Sequence, residues 1–248
     1  MAAKRLKSSS LPGRMLARML LILLGFLMGV ALFTPWDKIW ASALTRLDEN
    51  LPMVGLTWEG IDRDGPFGFR VRDFKITVAK TPGFLRFEHA YVTMGFSPLA
   101  TVRLDTGGTQ CLLELYSNGI FEFKGDLNLT YLLGYSDFKG TLNTSGSLFM
   151  PDGARLPQNG WLDIRSQQLI LPGERSVEDL SFTAAIENNH LDIRDFSMRR
   201  PMIYKSTGSA VLDPDDLFQT LFDLSGDMTV GDDTFSYEMK GTLAEALW

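Results

Sequence analysis

Two histidines and one cysteine are the residues of this chain best suited to metal or nucleophilic chemistry. His89 and His190 are 101 residues apart with no histidine or cysteine near either, whereas zinc sites draw their ligands from clusters. Cys111 lies in the apolar stretch Gln110–Tyr116, where a buried thiol is the ordinary interpretation. The sequence therefore predicts neither a metal site nor a nucleophile at these positions.

Acidic side chains form two short groups that resemble fragments of calcium loops. They are Asp62-Arg63-Asp64-Gly65 and Gly231-Asp232-Asp233, and neither continues into the spacing or the terminal glutamate that such a loop needs. Asp and Gly also recur in turns for backbone reasons, and we favour turns here. Asn128-Leu129-Thr130 fits a glycosylation sequon but belongs to a strand-like pattern.

Known catalytic motifs are missing from the sequence. It contains no nucleophile elbow, no phosphate-binding Gly-Lys-Ser/Thr loop and no dinucleotide fingerprint. Gly107-Gly108 lies between two strand-like runs without a following helix, so it predicts a turn. We therefore expect no catalytic residue, no cofactor-binding residue and no metal ligand, and a protein that is not an enzyme.

Charge divides the chain into two unlike parts. The 248 residues carry a net charge of −6, but residues 1–36 hold no acid, so the other 212 residues keep 19 basic and 30 acidic groups, a net of −11. An acidic domain argues against nucleic acid as a partner, and the asymmetry indicates different surroundings for the two parts. The basic groups of the first part are Lys4, Arg5, Lys7, Arg14 and Arg18.

An apolar segment follows the basic residues. Every residue of Met19–Phe33 is apolar or glycine. Extension back to Met15 includes Arg18, whose long side chain can reach the headgroups, and gives about 28 Å of helix, close to the roughly 30 Å of a bilayer core. Trp36 and Trp40 suit the membrane boundary. We therefore expect a basic cytoplasmic tail at 1–14, a transmembrane anchor at 15–36 and a β-rich periplasmic domain at 37–248.

A cleaved signal peptide is the alternative interpretation of this segment. Ala41-Ser42-Ala43 has the composition of a cleavage site, but it lies eight residues beyond Phe33 and after two tryptophans. An uncleaved anchor is the favoured prediction.

Alternating apolar residues dominate the body of the chain. Phe69 and Val71 alternate with arginines, then the phase shifts at Asp73, and Phe74 and Ile76 continue on the other parity. Such a shift predicts a bulge. Many short strands separated by Gly, Asn, Asp and Pro predict an all-β fold, mainly antiparallel, as a curved open sheet or a sandwich-like arrangement.

A Gly-x-Leu motif recurs at strand-like positions, where glycine suits a bulge or a close backbone approach. Its irregular spacing argues against a strict solenoid. The copies begin at Gly125, Gly140, Gly146 and Gly241, with a looser one at Gly160.

Short helices are expected at three places. Ala41–Asn50 has apolar residues on one side and ends before Leu51-Pro52. Ser97-Pro98-Leu99-Ala100 and Asp213-Pro214-Asp215-Asp216 each place a capping residue before a proline.

The order of these motifs resembles that of the type II secretion system protein N (GspN) family, and is similar in pattern to the AsmA-like family of anchored periplasmic β proteins. The resemblance covers nearly the whole chain. Its residues are the N-terminal anchor, Trp58-Glu59-Gly60, Phe96-Ser97-Pro98-Leu99-Ala100, Gly107-Gly108, the Gly-x-Leu strands, Asn189-His190-Leu191-Asp192-Ile193 and Thr207-Gly208-Ser209-Ala210.

The resemblance implies an inner-membrane component of the machine that exports folded proteins from a Gram-negative bacterium. It transfers no catalytic residues and implies other proteins of the inner-membrane secretion assembly as partners. The alternative is an AsmA-like lipid-binding or lipid-transfer protein, with phospholipid as its partner and an apolar surface rich in the 17 phenylalanines. An unpaired sheet edge would offer a further docking place, at a strand that the sequence does not identify.

Overall fold

The computed structural model describes residues 22, 23, 26, 34–50, 54–65, 67–78, 84–134, 138–151, 153, 154, 156–171, 173–214 and 219–242. Most of the expected anchor therefore lies outside the described residues, although Ile22, Leu23 and Phe26 are helical and exposed. In the part of the chain that is described, no helix has both the length and the apolar character needed to cross a membrane.

A single antiparallel sheet forms most of the molecule, which confirms the predicted all-β, mainly antiparallel and open architecture. Strands β3 to β14 follow one another in chain order, each paired with the next, while β1 and β2 both pair with β3. The strands are β1 Val54–Thr57, β2 Gly60–Arg63, β3 Gly68–Val78, β4 Leu85–Met94, β5 Ala100–Thr106, β6 Thr109–Leu115, β7 Ile120–Asn128, β8 Lys139–Phe149, β9 Asn159–Leu171, β10 Arg175–Glu187, β11 His190–Met198, β12 Ile203–Val211, β13 Leu221–Val230 and β14 Asp233–Thr242.

The helix α1 (Trp36–Asn50) contains the predicted helix and begins five residues earlier. Asp37 lies in its first turn, where a carboxylate is stabilised by the helix dipole. Trp40, expected at a membrane boundary, stacks on Phe69 of β3 with ring centroids 4.7 Å apart. At the other end, Asp48 Oδ1 accepts a 2.6 Å hydrogen bond from the Leu56 backbone N–H. These contacts hold α1 against the first strands.

The one-turn helix α2 (Leu129–Leu132) follows β7 and packs its two leucines into a buried cluster. This cluster also contains Phe87 of β4 and Leu169 of β9, which are separated in the sheet by β5 to β8. Five strand steps in a flat sheet span about 24 Å, too far for one helical turn to bridge. The sheet must therefore curl around α2 at this end.

Asn128, the residue of the sequon, positions α2. Its side-chain oxygen accepts a 3.1 Å hydrogen bond from the Thr130 N–H, and its amide nitrogen donates to the Gly107 carbonyl at 3.2 Å. Gly107 and Gly108 have φ of +56° and +92° and form the β5–β6 turn. The predicted turn at Gly107-Gly108 is confirmed, and Asn128 serves as the cap of α2.

Two other helix predictions have different outcomes. The helix at Ser97–Ala100 is wrong, because residues 95–99 form a bent loop and Ala100 already belongs to β5. In that loop the Leu99 N–H donates to the carbonyl of Leu115, at the end of β6, at 2.7 Å. The loop backbone therefore bonds to a strand and not within a helical turn. The helix expected from Asp213 falls largely on residues 215–218, outside the described residues.

The predicted phase shift at Asp73 is confirmed, but the bulge is wrong, because the β3–β4 register is unchanged across Asp73: Arg72 lies opposite His89 and Phe74 opposite Phe87. Asp73 has a φ of +46° inside β3, and Val71 and Phe74, three residues apart, contact the same buried cluster. Its carboxylate pairs with Lys75 Nζ at 2.8 Å and Arg86 Nε at 2.6 Å. The hydrogen bond from Lys75, followed by that from Arg86, lowers the pKa of Asp73 below its usual value, against the opposing effect of burial.

Asp73→Asn should make stability less dependent on pH. Because the folded pKa is depressed, the carboxylate stabilises the fold above its unfolded pKa of about 3.9, and this contribution disappears as pH falls through the folded pKa. Asparagine tolerates the positive φ, so the variant keeps the backbone. Urea unfolding should give the variant a lower free energy of unfolding than the unmodified chain at pH 7, and this difference should shrink below about pH 4. A deficit that is the same at pH 7 and pH 3 would contradict this assignment.

Candidate functional site

One face of the sheet is apolar from β3 to β14. The strand registers place one residue from each of these strands in a single row of direct cross-strand neighbours, and every member is apolar or glycine. The row is Phe69, Val92, Val102, Leu113, Phe123, Gly146, Leu162, Ala184, Ile193, Gly208, Leu224 and Met239. We call the side of the sheet that carries this row the apolar face.

A second row on the same face has the same character. It runs through Met94, Ala100, Leu115, Phe121, Leu148, Gly160, Ile186, Leu191, Ala210, Phe222 and Gly241. Between the two rows, the intervening residues point to the opposite side and are mostly polar. Their row is Thr93, Thr101, Glu114, Glu122, Ser147, Trp161, Ala185, Asp192, Ser209, Asp223 and Lys240, and we call this side the polar face.

The two helices cover only part of the apolar face. Helix α1 packs Trp40 and Leu44 onto the cluster of β3 and β4, and α2 covers the end where the sheet curls. In the described part of the chain, no helix packs on the apolar face of β11 to β14. Several of its side chains are well exposed: Met94 41%, Leu115 43%, Phe235 53% and Met239 40%.

Aromatic side chains line the later strands of this face. Phe182, Phe196 and Tyr204 make successive edge contacts at 6.3 and 5.4 Å, and Tyr204 stacks on Tyr237 at 4.8 Å. The last contact crosses β13 at Gly226, the direct partner of Tyr237, because glycine leaves room above the strand. Burial is the largest cause that raises the pKa of Tyr204 above its usual value, and the neighbouring Tyr237 acts in the same direction.

Four buried polar residues of this sheet bear hydroxyls that bond neighbouring groups, namely Thr106, Thr144, Ser166 and Ser206. Ser166 Oγ donates to the Thr141 carbonyl at 2.7 Å, and Thr144 Oγ1 to the Gly125 carbonyl at 3.3 Å. Hydroxyls that bond a neighbouring carbonyl avoid the penalty of a buried unpaired group. The apolar face can therefore contain them without gaining charge or a reactive centre.

The residues first considered for chemistry are not brought together. Cys111 is 4% exposed on the apolar face of β6, and burial raises the pKa of its thiol despite a contact with Thr144. His89 lies on the polar face of β4 opposite Asp105, and His190 begins β11. The described residues contain no group of three or more His, Cys, Asp or Glu that could hold a metal.

The acidic groups have structural roles. Asp62 Oδ2 pairs with Arg70 at 3.0 Å and Arg72 at 3.1 Å, while Asp64 donates its N–H to the Gly68 carbonyl in a turn. Gly231, with a φ of +65°, and Asp232 form the β13–β14 turn. The turn interpretation is confirmed for Asp64-Gly65 and for Gly231-Asp232, whereas Asp62 and Arg63 belong to β2 and Asp233 begins β14.

The arrangement favours binding of an apolar partner. Each CH₂ group removed from water is worth about 0.8 kcal/mol, and the two apolar rows provide a surface on which many could be buried. The sequence predicted the alternation of apolar and polar residues that gives each strand an apolar side. The alignment of these residues into rows depends on how neighbouring strands pair, which the sequence did not predict.

Comparison with known proteins adds no relative: no protein-family model, curated protein or solved structure matches this chain.

Proposed function

We propose that this protein is an inner-membrane-anchored component of the type II protein secretion system, in which the sheet acts as an interaction module. The motif order of the sequence supports the family. The segment at 15–33, which is apolar apart from Arg18 and follows further basic residues, supports a single crossing with the sheet in the periplasm. The structural feature that supports the interaction role is the strand β14, which pairs with β13 alone among the described strands.

Strand β14 is suited to recruit another strand. It is ten residues long, and at the opposite edge β1 and β2 contact α1. A long edge strand presents unpaired backbone groups, and a partner strand added there would extend both faces of the sheet. Its polar-face residue Glu238 has a 69% exposed side chain, so a partner can approach this edge.

Photocross-linking in cells tests the interaction role. A photoreactive residue at Glu238 should form an adduct with another inner-membrane secretion protein, and deletion of the gene should reduce export of secreted proteins. The matched control is the same residue at Glu122, an exposed glutamate in the middle of the polar face, which should give no adduct. Normal export in the deletion strain together with no adduct at Glu238 would overturn the proposal.

A second candidate function is AsmA-like lipid binding or transfer, and the uninterrupted apolar face favours it specifically. An acyl chain lying along the two apolar rows would contact carbon atoms of successive strands. The acidic side chains lie on the polar face, so they are kept apart from the anionic headgroup of a lipid bound to the apolar face. Native mass spectrometry of the full chain extracted in mild detergent should detect phospholipid at a defined stoichiometry. A spectrum that contains lipid-free protein alone would contradict this function.

A further inference from the structure

A polar cleft of about 850 Å³ crosses β8, β9 and β10, away from the uncovered apolar rows. Its volume lies within the roughly 300–1,000 Å³ range of ligand sites. The lining residues include Asn143, Arg165, Gln167, Gln168 and Asp179. Neither function proposed above uses this cleft.

Two irregularities of the sheet create the cleft. The β8–β9 register shifts between Gly140 and Asn143, and on β10 Asp179 has a φ of +50°. Ser166 Oγ secures the irregular part of β9 by donating to the Thr141 carbonyl at 2.7 Å. Bulges re-aim side chains, and a non-glycine residue at positive φ is a reason to look for function at that place.

Each charged residue of the cleft already has a partner, and for Asp126 that partner is the Asn143 amide, 2.8 Å away. Arg165 forms a two-point contact with Asp163, at 2.8 and 2.7 Å, and Asp179 pairs with Arg199 at 3.1 Å. These two ion pairs balance the charges of Arg165 and Asp179, whereas Asp126 keeps its charge beside the Asn143 amide.

Amide groups supply the remaining hydrogen-bonding capacity. Gln167 and Gln168 are exposed in the cleft. Gln168 Nε2 already donates to Ser176 Oγ at 3.4 Å, and both amides retain further capacity to donate and accept hydrogen bonds. Asn143 already donates to Asp126 at 2.8 Å, which fixes its orientation. A lining of this kind matches a neutral ligand with many hydroxyl or amide groups and does not match an acyl chain.

We infer that the cleft binds a neutral glycan segment, such as a strand of N-acetylated or plain hexoses. Sugar hydroxyls both donate and accept, as the carboxamides of Gln167 and Gln168 do. The size of the cleft accommodates an oligosaccharide rather than a single small ion.

Calorimetric titration of the detergent-solubilised full chain tests the inference, with tetra-N-acetylchitotetraose and maltotetraose as probes. Saturable binding of one probe is expected, and which one binds distinguishes an N-acetylhexosamine source from a plain hexose source. Gln167→Ala and Gln168→Ala should each weaken that binding at least tenfold.

Gln110→Ala is the matched control, because Gln110 is an exposed glutamine on β6 outside the cleft. It should bind the probe as the unmodified chain does. Absence of saturable binding for both probes, or an equal loss in Gln110→Ala, would overturn the inference. The apolar face and β14 are unchanged in these variants, so a negative result leaves the proposed functions standing.

Discussion

Gly160→Ala should lower the free energy of unfolding by about 3 kcal/mol or more, a large effect for one methyl group. Gly160 lies on β9 in the second apolar row with a φ of +154°, a region that residues with a Cβ rarely adopt. A Cβ there would collide with the Ser147 carbonyl oxygen and approach the Leu148 Cα to 2.9 Å. Both obstacles are backbone atoms of β8, so the strands would have to separate.

Gly55→Ala provides the control for that substitution. Gly55 lies in β1, and an added Cβ would meet only the Thr77 side chain, at 3.4 Å or more. We expect a change of about 0.5 kcal/mol or less, since the backbone needs no left-handed conformation. Urea denaturation followed by tryptophan fluorescence measures both variants. Equal midpoints for Gly160→Ala and the unmodified chain would show that β8 and β9 do not approach as described.

The Gly-x-Leu motif illustrates what the sequence could predict. Glycine at a strand position predicted a bulge or close approach, and Gly125, Gly140 and Gly160 all have positive φ beside a neighbouring backbone. The spacing in the motif also places glycine and leucine on the same face of a strand. Local patterns of this kind are set within a few residues, which is why they can be read without the fold.

Register and edges could not be predicted in the same way. A slip of one residue turns a strand over, and the shifts between Gly140 and Asn143 and between Ile193 and Phe196 arise from pairing between strands. The assignment of β14 as an edge likewise depends on the order of the whole sheet. The bent loop at residues 95–99 follows the same rule, because the hydrogen bond from the Leu99 N–H to the Leu115 carbonyl of β6 fixes its conformation.

The polar cleft was missed for the same reason. Arg165, Gln168 and Asp179 are unremarkable in sequence and meet only because β9 and β10 pair across irregular positions. The signal available beforehand was the pair of adjacent glutamines at 167 and 168, which interrupts an apolar alternation. By itself, that interruption predicts neither a cleft nor its partners.

Leu115→Asp should remove most of the lipid that the full chain retains, at least tenfold relative to the unmodified protein. Leu115 ends β6 on the apolar face with 43% exposure, where it neighbours Phe121 in the second row. A carboxylate there would have to lose its water when an acyl chain covers it, which is costly for an unpaired charge. Tenfold weaker binding corresponds to about 1.4 kcal/mol, which is less than the usual cost of burying an unpaired carboxylate.

Leu112→Asp is a closely matched control for this effect. Leu112 belongs to the same strand with 40% exposure, but it faces the polar side opposite Lys124. Both substitutions introduce the same charge at a similarly exposed leucine, so they should perturb folding alike and differ only in the face that they alter. Phospholipid extracted from each purified variant and counted per chain should fall for Leu115→Asp and not for Leu112→Asp. Equal lipid content in the two variants would show that the apolar face is not the lipid-binding site. Protein interaction through β14 would then be the function that the sheet supports.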